Sequence, residues 1–351
     1  MRRILSLALA AWTLLAIGFA PAEAAAKKEF KVCWSIYVGW MPWGYLSDSG
    51  IMKKWADKYG IKVDITQIND YVESINQYTA GAYDGCTMTN MDALSIPAAG
   101  GVDSTALIVG DYSNGNDGIV LKGGKDKLAD IKGQKVNLVE LSVSHYLLAR
   151  ALDSVKLAEK DLTVVNTSDA DMVAAYGTPE VTAVVTWNPM LSEVVGQPKS
   201  KEVFNSSQIP GEIIDMMVVN TETLKDNPDF GKALVGAWFE IMGMMEKGDA
   251  ASKESMAKAS GTDVAGFDAQ LKTTMLFTKP AEAVAFTKDA KLLKTQEFVA
   301  KFLFERDIFK GAKKWDAVAM EFPGAKTIGD KSKIKLRFDA AYMEMAAGGK
   351  L

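Results

Sequence analysis

The residues able to do chemistry in this chain fall into two types, flat rings and carboxylates. The segment GWMPWGYLSD (39–48) gathers Trp40, Trp43 and Tyr45 around Pro42, with Gly39 and Gly44 relaxing the backbone. Further along come Asn69, Asp70, Tyr71 and Glu73, then Asn90 and Asp92, Asp111 and Tyr112, Glu140, and Asp169 with Asp171. Trp187 precedes Asn188 and Pro189, and Asp215 stands between Ile214 and Met216 in an apolar run, where a carboxylate needs a partner. Singly, Asp70 or Asp92 reads as a helix cap and Trp187 as a core residue. As a set they point to a ligand. Beyond residue 25 the only arginines are Arg150, Arg306 and Arg337, none near these segments. Anion sites show arginine forks or bare helix N-termini. Carboxylates and rings without them suit a small cation, held by charge-assisted hydrogen bonds and cation–π contact.

Other chemistries lack their residues. His145 is the single histidine, which excludes a multi-histidine metal centre, and its place in SVSHYLLARAL suggests a structural or rim role. No G-x-S-x-G, G-x-x-x-x-G-K or G-x-G-x-x-G occurs, so no catalytic serine, cofactor or nucleotide is expected. Forty Lys+Arg against 44 Asp+Glu leave a net charge of −4, which argues against nucleic acid as a partner. With 48% hydrophobic residues in 351 the chain can bury a core, and it exceeds the roughly 250–300 residues at which single cores divide.

The elements that must position these residues alternate. Strands are expected at 30–38, 61–68, 83–90 and 104–110, with helices at 47–60 (capped by Ser47, closed by Gly60), 70–80 and 91–100. A crossover strand at 118–124 leads to strands at 135–140, 162–167, 181–187 and 202–207 and helices at 144–155 and 170–176. A return strand follows at 212–220, then a helical remainder whose lysine-rich tail (310–351) reads as exposed helical surface. The expected class is α/β: two lobes, each with a mostly parallel sheet, joined by two crossover strands. Lobe 1 takes residues 26–120 and 215–351, and lobe 2 takes 121–214. Ligands of such sheets bind beyond the carboxyl ends of the strands, where the rings and acids lie.

Residues 1–25 read as a signal peptide: Arg2 and Arg3, an apolar run from Ile4 to Ala20, and an Ala22-Glu23-Ala24 cleavage site. Export to the periplasm permits a disulfide between Cys33 and Cys86 if their strands are neighbours; two buried thiols are the alternative.

The order of the WMPWGY segment, AYDGCTMTNMDAL, GIVLKGG, SVSHYLLARAL and DADMVAAYGTPEVTAVVTWNP resembles periplasmic substrate-binding proteins of the nitrate/sulfonate/taurine transporter class. Within it, the chain is similar to receptors associated with urea carboxylase. The resemblance implies a type II periplasmic binding protein, monomeric, working with an ABC permease and binding guanidinium or urea. It departs from the anion-binding members in having no basic residue in the first-lobe loops. On this reading Trp43 and Trp187 stack on the ligand, with Tyr45 beside them. Asp92 and Glu140, with Glu73 or Asp111, accept its N–H groups. Tyr71 adds a polar contact, Asn90 offers a donor to a urea oxygen, and Asp215 serves as hinge or ligand contact. The rival readings are an anion receptor, an interaction protein, and an exported pyrimidine-acting enzyme using Cys86 and Glu140.

Overall fold

The computed structural model describes residues 27–309 and 311–351; the signal-peptide reading of 1–25 lies outside them. The first lobe begins with β1 (Glu29–Trp34), α1 (Met41–Asp48), α2 (Ile51–Lys58), β2 (Lys62–Gln67), α3 (Tyr71–Thr79), β3 (Gly85–Thr89), α4 (Asn90–Ala93) and β4 (Ser104–Ser113). The second holds β5 (Asp117–Lys122), β6 (Lys135–Leu138), α5 (Val143–Ser154), β7 (Thr163–Asn166), α6 (Asp169–Tyr176), β8 (Ala183–Trp187), α7 (Met190–Val195) and β9 (Ser200–Asn205). The chain returns through β10 (Ile214–Asn220), α8 (Thr221–Asp226), α9 (Pro228–Glu246), α10 (Ala250–Ala259), α11 (Val264–Leu271) and β11 (Thr274–Leu276). It ends with α12 (Pro280–Lys288), α13 (Ala290–Glu305), β12 (Ala319–Phe322), β13 (Lys326–Ile328), β14 (Ile334–Phe338) and α14 (Ala341–Ala347).

The first sheet runs β13-β12-β14-β4-β10-β3-β1-β2, with β11 on the end of β4; the second runs β7-β6-β8-β5-β9. Strands β3 (GCTMT) and β8 (AVVTW) are buried at every residue, as expected of strands covered on both faces. By pairing, β5 belongs to the second sheet from Asp117, so residues 117–120 lie there rather than with the first lobe. The two connections between sheets, β4–β5 and β9–β10, run together. Ser113 Oγ lies 2.6 Å from Ser206 Oγ, the Gly115 N–H donates to Ser206 Oγ at 2.7 Å, and the Ser113 N–H donates to the Ile213 carbonyl at 3.0 Å.

Three expectations need correction. The tail is not an exposed helix: β12, β13 and β14 extend the first sheet, with Leu336 and Phe338 buried and Lys335 and Arg337 turned outward. This two-residue alternation in IKLRF is a strand signal that the lysines mask. The helix expected at 47–60 is two, broken at Gly50 with φ +76°, a left-handed backbone that glycine adopts freely. Gly60 does close the second. The WMPWGY segment is itself helical, with Pro42 in the first turn of α1.

Cys33 and Cys86 face each other on the parallel neighbours β1 and β3, Cα atoms 4.4 Å apart, and are joined as a disulfide.

Candidate functional site

Where the two sheets' strand ends meet, Tyr37, Trp40, Tyr71, Thr89, Asp117, Val143, Trp187 and Asp215 line a small cavity of about 10 Å3. That is room for about one water in this closed arrangement, far below the size of a drug-sized pocket, so the cavity suits a very small ligand. β1 ends at Trp34, which frees Tyr37 and Trp40 to turn into the cleft before α1 begins. Four rings follow one another around the wall. Their centroids are 5.1 Å apart for Tyr37–Trp40, 5.7 Å for Trp40–Tyr71 and 5.5 Å for Tyr71–Trp187.

The lobes are closed over this space. Trp187 Nε1 donates to the Ile36 carbonyl at 2.9 Å, and the Val38 N–H donates to the Asn188 carbonyl at 3.1 Å. The Tyr71 N–H donates to Asp169 Oδ1 at 3.1 Å, and Ser168 Oγ donates to Asp70 Oδ2 at 3.0 Å. Each bond pairs a group of one sheet's loops with one of the other's.

The electrostatics are one-sided. Asp92, Asp111, Asp117 and Asp215 are all at most 4% exposed. Burial pushes Asp117 up to about 7 and Asp92 up to about 6. It raises Asp111 and Asp215 as well, and the neighbouring Asp111 makes Asp215 still harder to ionise. The Asp111 and Asp215 Oδ2 atoms receive no hydrogen bond from any donor of the described chain. Among the described residues, no lysine, arginine or histidine lines the space. The three arginines among them are committed elsewhere: Arg150 forks onto Glu212 at 2.8 and 2.9 Å, Arg306 meets Asp153, and Arg337 meets Asp103 and Glu321. Buried carboxylates facing an open space with no cation of the protein's own are unfavourable until a ligand supplies one.

This has a consequence for the ligand-free protein. Acids whose folded values lie near 7, against about 3.9 unfolded, bind more protons in the folded state than in the unfolded state between those limits. Stability then rises as pH falls through 7. Thermal or urea unfolding at pH 6 is expected to show about 1–3 kcal/mol more stability than at pH 8, and saturating ligand should remove the difference.

The residues expected from sequence divide. Tyr71, Trp187 and Asp215 line the space. Asp111 stands behind Asp215, its Oδ1 accepting from the Tyr37 hydroxyl at 2.8 Å. Asp92 is buried but committed: it accepts from Tyr71 Oη (2.7 Å), Thr89 Oγ1 (2.8 Å) and the Val143 N–H (3.2 Å) at the start of α5. It thereby fills with a carboxylate the helix N-terminus an anion would want. Asn90 is also committed, its Nδ2 donating to the Glu212 carbonyl and its Oδ1 accepting from the Ile214 N–H. It braces the β10 crossover.

Trp43 is not in the site; it stacks on Trp238 of α9 at 5.0 Å and is 1% exposed, because the helical turn of α1 points it into the first lobe's core. Tyr45 is half-buried and outside the lining. Glu73 and Glu140 are exposed and share a separate depression with Asp70 and Asn166 at the cleft rim. His145 accepts from the Leu141 N–H and meets Glu159, a structural role. Tyr37, Asp117, Thr89 and Val143 are the site residues the sequence reading passed over. Asp117 sits in SNGNDG, which reads as a turn; the signal for Tyr37 was its closeness to the WMPWGY rings.

The family model described as NMT1/THI5 like matches residues 51–240, more than half of the chain. The chain belongs to the NMT1/THI5-like family. A binding protein of Brucella abortus (strain 2308) is 23% identical to this NMT1/THI5-like chain over 239 residues, 67% of this chain and 73% of that one. Among solved structures, the alkanesulfonate-binding protein SsuA of Xanthomonas axonopodis pv. citri, bound to MOPS, superposes with a TM-score of 0.68. It is 16% identical, covering 82% of this chain and 96% of that one. The periplasmic nitrate-binding protein NrtA of Synechocystis PCC 6803 gives 0.58 at 13% identity, covering 91% and 98%. These are binding proteins by name, and the likeness establishes the two-lobed periplasmic binding-protein fold of this NMT1/THI5-like chain.

Proposed function

We propose that this protein is the periplasmic receptor of an ABC importer, a monomer that captures guanidinium between its lobes and delivers it to the permease. One observation carries the reading: Asp215 and Asp117 face a four-ring space that holds no basic side chain. Guanidinium is flat, purely a donor and permanently charged. It would slide between the Trp187 and Tyr71 side and the Tyr37 and Trp40 side, with N–H groups directed at the two carboxylates. Asp92 would act as a closure contact rather than a ligand group, since it does not line the space and its Oδ2 already accepts three bonds.

Urea is the second reading, in the form the buried acids allow. Asn90 does not line the space and braces β10 instead, but a protonated Asp117, whose carboxyl is pushed up to about 7, would offer a donor to the urea oxygen. The enzyme reading loses both its groups. Cys86 is in the disulfide, and Glu140 is on the exposed rim. An anion would meet carboxylates where it needs donors.

Calorimetric titration with guanidinium chloride, urea, taurine and nitrate tests this. Guanidinium is expected to bind about 100-fold or more tightly than urea, a gap of about 2.7 kcal/mol, and the anions not at all. Taurine or nitrate binding more tightly than guanidinium would overturn the cation assignment.

A further inference from the structure

Asp215 and Asp111 stand directly opposite each other in the register of β10 and β4, and only Asp215 reaches the ligand space. Directly opposite residues of antiparallel neighbours have Cβ atoms about 4.5–5.5 Å apart on one face, so the two buried carboxyls adjoin. Two adjoining buried carboxyls with no cation beside them are unfavourable when both are ionised, so the empty pair keeps a proton. Their surroundings offer no alternative: neither Oδ2 atom receives a donor of the described chain, and both residues are at most 3% exposed. From the segment after β1 they face Tyr37, whose hydroxyl bonds Asp111 and lies 3.1 Å from the Thr274 hydroxyl of β11. From β5 they face Asp117, itself bonded by Ser113 Oγ at 2.5 Å. Beyond Asp117 is Asp92 of α4, tied to Tyr71 of α3. From α9, Trp238 approaches at Gly110. Every titratable group named here is an acid or a phenol.

We propose that the receptor takes up its cation in exchange for one proton, which the Asp111–Asp215 pair holds in the empty closed site and releases to solvent when the cation arrives. The inference rests on the cation reading and adds the proton to it. The balance is simple: the singly protonated pair and a monocation give a doubly ionised pair, the bound monocation and one proton in solution. The buried site's net charge is then the same before and after capture, so the low-dielectric interior never holds an added charge. A neutral ligand would displace no proton.

Titration calorimetry of the full-length mature protein with guanidinium chloride, in buffers of different ionisation enthalpy, counts the protons. At pH 6 about one proton is expected to leave the pair per guanidinium bound, besides the proton that Asp117 gives up at this pH, with the apparent affinity weakening toward the acid side. The count should fall as pH rises. Asp111→Asn replaces the shared proton with an amide N–H that never leaves, so its count at pH 6 should fall by about one proton relative to the wild type. Tyr37→Phe removes a donor that favours the ionised pair, so its pH profile should move to higher pH. Guanidinium binding to the wild type at pH 6 without buffer-dependent heat would overturn the proton exchange and leave the cation reading standing. A proton count in Asp111→Asn unchanged from the wild type would place the proton on another acid and overturn the assignment to the pair. Absence of guanidinium binding at every pH would end the cation reading and this inference with it.

Discussion

Replacing Asp215 with asparagine is expected to abolish guanidinium capture at micromolar concentrations. The substitution keeps the shape of the side chain and removes the charge at the one point where the first sheet's central strand reaches the ligand. Removing one partner of a buried ion pair costs about 3–5 kcal/mol, which is two to three orders of magnitude or more in affinity. The same change should leave folding unharmed or improved. In the empty protein Asp215 is buried to 3% exposure beside Asp111, with an oxygen that no donor of the described chain meets, so ionising it contributes nothing favourable until the ligand comes. Calorimetry and thermal unfolding of Asp215→Asn read the two sides separately. A variant that binds within about threefold of wild type would show that the cation does not rest on this carboxylate.

Trp187 is expected to separate ring stacking from lobe closure. Its indole packs edge-on to Tyr71 at 5.5 Å and lines the ligand space, while its Nε1 crosses to the Ile36 carbonyl on the other lobe. Trp187→Ala removes both and should weaken guanidinium binding by about 100-fold, from a desolvated cation–π contact of about 2 kcal/mol and a net hydrogen bond of about 1 kcal/mol. Trp187→Phe keeps a ring and loses only the interlobe bond, so a loss of about five- to tenfold is expected. Stopped-flow measurement should place both losses in the dissociation rate, since the bond forms only when the lobes are shut. Equal losses for the two variants would mean that the ring has no contact with the ligand.

How far the site could be read in advance differs from residue to residue. The alternation of apolar runs with helical periods locates the strand ends correctly, and with them the cleft, because that pattern follows from burial on both faces of a sheet. Aromatics and acids without arginine carry the cation proposal, because composition at those strand ends does not depend on exact geometry. Orientation is another matter. Trp40 and Trp43 are three residues apart in one segment, yet one borders the ligand space and the other stacks in the core against Trp238, nearly two hundred residues on. Nothing local distinguishes them. Asp92 and Asp117 show the same limit. Both are buried carboxylates near the cleft, but Asp92 is consumed by Thr89, Tyr71 and the start of α5, while Asp117 looks into the space from a segment that reads as a turn. Which carboxylate is spent and which is free depends on partners supplied by distant strands.

Ser113 and Ser206 clasp the two connecting passages to one another, and the same Ser113 hydroxyl grips Asp117. Passages fastened side by side behave as a single axle, so the halves swing along one arc and do not twist independently. Asp117 is mounted on that axle and also lines the ligand space. On the proposed reading, the arrival or departure of a cation would be felt at the pivot itself, and opening would start from a residue that holds the ligand.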